Sequence, residues 1–296
     1  MFANVCAFPF VPFQQGAVDE AAYVRILQRL AQAEVPYVCA LGSTGNYAYV
    51  NLVERMRIAQ CTREHLPQAK LMVGISSLRV ADVLALADHA LHLGADALLL
   101  APMSYQPLSG EEMLRLYRIV HDATTLPICV YDNPGTTHYT FTPEQYAQLA
   151  QLPRIRGVKI PRVSEDMAQA KQQVQALKTQ LPPNFSVGIS GDWWSTAGLV
   201  AGCDVWYSVL AGAFPRTAME IGNAVAQGHH AEALALSARL QPLWALFQRY
   251  GSLRVIATAL VLQGVAAEGC LPAPLLELQG NDREHLRELL TALALH

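Results

Sequence analysis

The chain has 296 residues, 52% of them hydrophobic and 15% charged, and its formal net charge is −3. That composition excludes a disordered protein, and the length suits one large domain or two small ones. The slightly acidic balance offers no basic footprint for nucleic acid and no polybasic patch for a membrane surface.

In chain order, an apolar strand, a turn and an amphipathic helix recur. The pattern predicts strands at 2–8, 36–41, 70–75, 96–101, 127–131, 154–159, 185–190 and 204–209. The matching helices are predicted at 19–34, 52–66, 80–93, 109–124, 142–152, 164–180, 193–201 and 215–226. Short apolar strands alternating with helices imply a parallel sheet covered on both faces. Eight is the count at which such a sheet closes. The expected fold is therefore α/β, a (β/α)8 TIM barrel, which commonly takes about 250 residues. An open doubly wound sheet would want a glycine-rich turn after the first strand, where this chain has Pro9-Phe10-Val11-Pro12. Beyond the eighth unit, 231–249, 253–265 and 282–295 read as appended helices, with breaks at Gly251 and Pro272-Ala273-Pro274. The expected division is a barrel over 1–226 and a C-terminal helical segment over 227–296 packed on it.

Six cysteines (Cys6, Cys39, Cys61, Cys129, Cys203, Cys270) are scattered, with no C-x-x-C and no cluster with histidine. Cys6, Cys39 and Cys129 lie in apolar strand-like runs and read as small buried hydrophobes of a reducing compartment. His89 and His92 share a helix face and His229-His230 are adjacent, yet neither pair has a third ligand at metal spacing, so no metal is expected. The first basic residue is Arg25, which leaves no basic n-region for a secretory signal. The apolar runs at 93–103 and 255–267 fall short of the ~20 residues of a bilayer span. A cytoplasmic protein is expected.

In a closed barrel the reactive groups gather at the carboxyl ends of the strands. Lys159 stands at the end of the sixth. It is one of only four lysines, the others being Lys70, Lys171 and Lys178. Burial disfavours an ammonium ion, and a neutral amine is a nucleophile toward carbonyl carbon. A lysine there can also snorkel to the rim or pair with a carboxylate. Tyr131 ends the fifth strand, one βα unit earlier, so amine and phenol should end on adjacent strands at one level. A phenol so placed can shuttle protons, as a Schiff-base enzyme requires; a tyrosine at a strand end can equally be a packing residue with a wet hydroxyl. After the second strand, Gly42-Ser43-Thr44-Gly45 sets two hydroxyls between glycines. The backbone there can turn sharply and aim N–H groups at a carboxylate, or form an ordinary turn before a helix.

These motifs in this order resemble the family of dihydrodipicolinate synthase and N-acetylneuraminate lyase, which are Schiff-base, class I aldolase-type barrels. Gly42-Ser43-Thr44-Gly45 followed by Glu54-Arg55 has the family's register, as do Tyr131-x-x-Pro134-Gly135 and Gly157-Val158-Lys159. Ser190-Gly191-Asp192, Ser208-Val209 and Pro215 are similar to its seventh and eighth strands, so the resemblance covers residues 1–225. It implies a homo-oligomer, a tetramer built from dimers, with no cofactor. It implies a small-molecule partner, pyruvate or another 2-oxo acid, bound as an imine on Lys159 with its carboxylate on Ser43 and Thr44. Tyr131 and the Thr44 hydroxyl would relay protons. The enamine permits aldol addition or cleavage first, dehydration or deamination of a 2-oxo-3-deoxy or cyclic imino acid second, and the synthase reaction third. A binding barrel without activity is the reading from another class.

The chain also departs from the family. The synthase proper carries an arginine, which binds the second substrate's carboxylate, where this chain has Thr136. A hydroxyl cannot form a bidentate clamp. The paired tyrosines after strand four are represented only by Tyr105, an expected substrate-binding residue together with Thr136 and Tyr207. Asn46 replaces the usual glutamate and Asp132 a common asparagine. Trp206-Tyr207 replaces a small aliphatic lining, and Trp193 and Trp194 either reshape the pocket or pack at the rim.

Overall fold

Strands too apolar to face water on either side must hide both faces, and here they do so by closing on themselves. The computed structural model describes residues 2–295. Its barrel strands are β1 Asn4–Ala7, β2 Tyr37–Ala40, β3 Lys70–Gly74, β4 Ala97–Leu100, β5 Ile128–Tyr131, β6 Ile155–Ile160, β7 Ser186–Ile189 and β8 Val205–Ser208. All pairings between them are parallel, and β1 bonds to both β2 and β8, which closes the ring.

Alternation along each strand divides the apolar side chains into two cores. Cys6, Cys39, Met72, Leu99, Cys129 and Tyr207 fill the barrel interior. Val38, Val73, Leu98, Val130, Val158 and Trp206 face outward, where the helices cover them. One residue decides the matter for the site: Val158 outward puts Lys159 inward. All six cysteines are buried and free.

Three of the covering helices begin with reciprocal capping boxes: Asn51 with Glu54 for Leu52–His65, Ser109 with Glu112 for Gly110–Ala123, and Thr142 with Gln145 for Pro143–Leu149. Glu54 is thus a helix-capping residue. The eight predicted βα units occur in the predicted order, and five short elements lie outside the prediction. They are the hairpin Phe13–Gln14 with Ala17–Val18, the 3-10 turn Ser43–Gly45, and the helices Pro134–Thr137 and Val209–Ala213. Each has fewer than six residues, too few to show a period. The predicted helix 231–249 is two, His230–Arg239 and Gln241–Tyr250. Pro242 explains the break: it has no N–H to donate and sits in the first turn of the second helix, where none is needed.

The last helices, Ser252–Leu262 and Gly280–Leu293, complete the tail. It is bound to the barrel by Phe13 N–H donating to Cys270 O (2.9 Å) and Arg25 Nε to Val265 O (3.0 Å). Ser252–Leu262 packs against the Ser43–Gly45 turn and against Val209–Ala213, so the tail helps form the mouth of the barrel. No helix among the described residues is long and apolar enough to cross a membrane.

The bulk of Tyr207 inside the barrel has a visible accommodation. A Cβ on Gly188 of the neighbouring β7 would lie 2.3 Å from the Tyr207 ring. Gly188→Ala is expected to cost about 1–3 kcal/mol of stability through overpacking. The same substitution should cost much less in a Tyr207→Val background, measured by denaturant unfolding of the four proteins; equal costs in both backgrounds would break the link.

Candidate active site

Lys159 and Tyr131 are register partners across β6 and β5. Lys159 is only 4% exposed. Its Nζ lies 4.2 Å from the centre of the Tyr131 ring, 4.3 Å from that of Phe8 and 5.8 Å from that of Tyr207. Ring faces attract a cation by about 0.5–2 kcal/mol, so these rings replace part of the hydration that burial removes. Phe8 reaches this position because Gly42 opposes it: a Cβ there would fall 2.3 Å from the ring. Among the described residues no carboxylate pairs with Lys159. The thiols below it supply no countercharge either. Burial pushes Cys129 up to about 12 and holds Cys6 and Cys39 well above the usual thiol range.

The Tyr131 hydroxyl is held from two sides. Asn133 Nδ2 donates to it at 2.9 Å, and Ser43 Oγ lies 2.9 Å away. With Asn133 donating, the phenol keeps its own proton and a free lone pair, so either hydroxyl can be the donor in the Ser43 contact. Ser43 is the hydroxyl within hydrogen-bond reach of the phenol, and Thr44, expected to relay protons with Tyr131, is buried beside it. The turn carrying both hydroxyls is built from unusual backbone. Leu41 before it has φ +61° and Asn46 after it φ +54°. A left-handed leucine is strained by about 1–3 kcal/mol, and such strain gathers at functional sites. Asn46 suits its position because a short amide tolerates that conformation, and its Nδ2 donates to Val11 O at 2.8 Å.

Ser43, Thr44, Tyr131, Thr136, Lys159 and Tyr207 line one cavity of about 640 Å³ at the carboxyl ends of the strands. Tyr105 does not line it. It is 88% exposed, and from that βα connection Met103 enters the cavity instead. Tyr207 lies at the cavity floor with its hydroxyl 3.3 Å from Cys129 Sγ. Trp206 faces the other way, its Nε1 donating to Asp192 Oδ1 (3.1 Å). Ser208 Oγ (2.8 Å) and Leu210 N–H (3.1 Å) donate to the same oxygen, which ties the ends of β7 and β8 together. Burial raises the Asp192 carboxyl above its ordinary value. Trp193 lines the cavity and Trp194 a separate groove.

Sequence reading missed Phe8, Asn133 and Arg254, all of which line the cavity. Phe8 had a signal, since it follows Cys6 in the inward alternation. Asn133 had one in its place two residues after the phenol. Arg254 had none, because it comes from the tail helix and reaches the mouth only through tertiary packing.

A family model described as the dihydrodipicolinate synthetase family matches residues 1–293. A curated relative, the 4-hydroxy-tetrahydrodipicolinate synthase of Thermodesulfovibrio yellowstonii, is 27% identical over 298 residues, covering 100% of this chain and 99% of that protein. The solved structure of a dihydrodipicolinate synthase from Agrobacterium tumefaciens is 41% identical at a TM-score of 0.94, covering 99% of this chain and 98% of that one. A dihydrodipicolinate synthase from Thermotoga maritima is 26% identical at a TM-score of 0.91, with 100% of both chains covered.

Asp132, next to the phenol, gives a measurable electrostatic consequence. It accepts a hydrogen bond from the Tyr146 hydroxyl, while its Oδ1 is buried with no partner and its own N–H donates to Lys159 O (3.1 Å). Burial raises its carboxyl from 3.8 to about 6. Ionising it therefore costs the folded state stability. The penalty is absent below about pH 4, grows between about pH 4 and 6, and is complete above that, at roughly 3 kcal/mol. Thermal melts of Asp132→Asn and the unsubstituted protein should show the variant gaining across that window and holding its gain above it. A stability difference that does not change with pH would contradict this assignment.

Proposed function

The chain belongs to the dihydrodipicolinate synthetase family, and from that premise we propose that it is a Schiff-base-forming lyase of the class I aldolase type. Its substrate is pyruvate or another 2-oxo acid. Lys159 Nζ adds to the ketone carbon, and loss of water leaves a protonated imine whose positive charge stays at the nitrogen among the Tyr131, Phe8 and Tyr207 rings. Ser43 and Thr44 hold the carboxylate with hydroxyl and backbone N–H donors. Tyr131 moves the protons of carbinolamine formation and decay, and passes them through Ser43, with Thr44 beside it. Removal of a C3 proton gives the enamine, which adds to an aldehyde or, in reverse, is released by carbon–carbon cleavage. Hydrolysis then frees the amine.

The observation that supports this reading most is the register pairing of an uncompensated buried amine with a phenol held by Asn133 and Ser43. The second reading is the reaction named for the curated relatives, 4-hydroxy-tetrahydrodipicolinate synthesis. Against it stands Thr136, whose hydroxyl donates to Asn133 O at 3.3 Å within its own turn and provides no guanidinium. Assembly as a homo-oligomer, a dimer or tetramer, fits the exposure of Tyr105 with Leu78 (57%) on the preceding βα connection. A cytoplasmic location accompanies the same reading.

Incubation with pyruvate and borohydride, followed by peptide mass mapping, should place a reduced pyruvyl adduct on Lys159 and none in Lys159→Ala. Absence of any adduct with a panel of 2-oxo acids would remove the proposal. Tyr131→Phe should still be trapped, slowly, while turnover falls by about 10²–10⁴-fold. Efficient condensation of pyruvate with aspartate semialdehyde by the unsubstituted protein would move the assignment to the second reading.

A further inference from the structure

We propose that Arg254 is the specificity-determining residue of this site and selects an aldol partner that carries an anionic group of its own, a carboxylate or a phosphate, remote from the reacting carbon. The inference deepens the Schiff-base reading and rests on it.

Arg254 is the one arginine lining the cavity that contains Lys159, Tyr131 and Ser43. Among the described residues its guanidinium pairs with no carboxylate. Its one hydrogen bond is a long contact from Nη1 to Tyr250 O, at 3.4 Å. A half-buried guanidinium offers five N–H donors, and here nearly all are unspent. The neighbouring cations have other tasks. Lys159 is the nucleophile, and Arg55 is buried behind the turn, donating to Ser76 O and Gly74 O at 2.8 and 2.9 Å.

The acidic surroundings are equally empty. Asp192 is the one acidic residue among those lining the cavity, and its Oδ1 already accepts three hydrogen bonds. Arg254 also stands in the first turn of Ser252–Leu262, whose start at Gly251 has no side-chain cap, so the helix adds a positive end to the same place. A cavity holding an unpaired guanidinium and a single carboxylate, one of whose oxygens already accepts three hydrogen bonds, favours a substrate bearing negative charge beyond the group that Ser43 and Thr44 hold. The clamp after β5 is lost, since Thr136 is bonded into its own turn. Arg254 supplies a guanidinium from the tail helix, which packs against both the Ser43–Gly45 turn and Val209–Ala213, so the second anion would sit on the tail-helix side of the mouth. That placement predicts a partner differing in length or bend from one fixed at Thr136.

The test pairs acceptor aldehydes with and without the anion, in the presence of saturating pyruvate: succinic semialdehyde against butanal, and glyceraldehyde 3-phosphate against glyceraldehyde. The unsubstituted protein should favour at least one anionic member by roughly 10–100-fold in kcat/KM, the larger preference identifying carboxylate or phosphate. Arg254→Met should abolish that preference through KM, and Arg254→Lys should restore part of it. Borohydride trapping of pyruvate on Lys159 should be unchanged in both variants. No preference in the unsubstituted protein, or one that survives Arg254→Met, overturns the proposal. A rise in KM for pyruvate with both acceptor classes equally affected would assign the guanidinium to the 2-oxo acid's own carboxylate and overturn it too. Failure of trapping in the unsubstituted protein would instead sink the Schiff-base reading.

Discussion

The pairing of β5 with β6 is the constraint on which the site depends. In a parallel ladder, register fixes which side chains share a level, and slipping one residue would turn every side chain to the opposite face. Here that ladder sets Tyr131 beside Lys159 and points both into the barrel, where among the described residues no carboxylate forms an ion pair with the amine. The surrounding departures from ordinary packing serve this arrangement. Gly42 clears space for Phe8, Gly188 clears space for Tyr207, and Leu41 adopts a strained backbone so that Ser43 meets the phenol. Each concession lies within reach of the amine.

The barrel and its chemistry were largely legible in the chain because both follow periodic rules. Apolar runs spaced by helices specify a closed parallel sheet, and position at a strand end specifies exposure to the mouth. Thus Lys159, Tyr131 and Ser43 could be found from order alone. What stayed hidden had no local signature. Trp206 and Tyr207 are neighbours in sequence and face opposite cores. Only the alternation parity of β8 tells them apart. Arg254 reaches the cavity through the docking of the tail helix, a long-range contact for which one chain gives no sign. Tyr105, expected to bind substrate, lies outside the cavity of its own chain, which Met103 enters from the same connection.

Two departures from the family pattern have structural reasons of different kinds. Asn46 is explained by backbone: it occupies a left-handed position and bonds to Val11 O, which ties the Ser43–Gly45 turn to the connection after β1. Asp132 is explained by neighbourhood. Its carboxyl meets the Tyr146 hydroxyl on one oxygen and nothing on the other, so burial raises it. The first fixes the shape of the Ser43–Gly45 turn. The second puts a titrating group directly behind the strand that bears the phenol.

The ring of thiols beneath Lys159 has a use that does not concern the reaction. Cys6, Cys39 and Cys129 are sealed by aromatic rings above and by the barrel wall around them, and burial keeps all three protonated. Thiolate is the form that alkylating reagents attack. A reagent in solvent therefore meets these sulfurs only when strands part, and the slow phase of their labelling becomes a clock for how often the staves of the barrel separate.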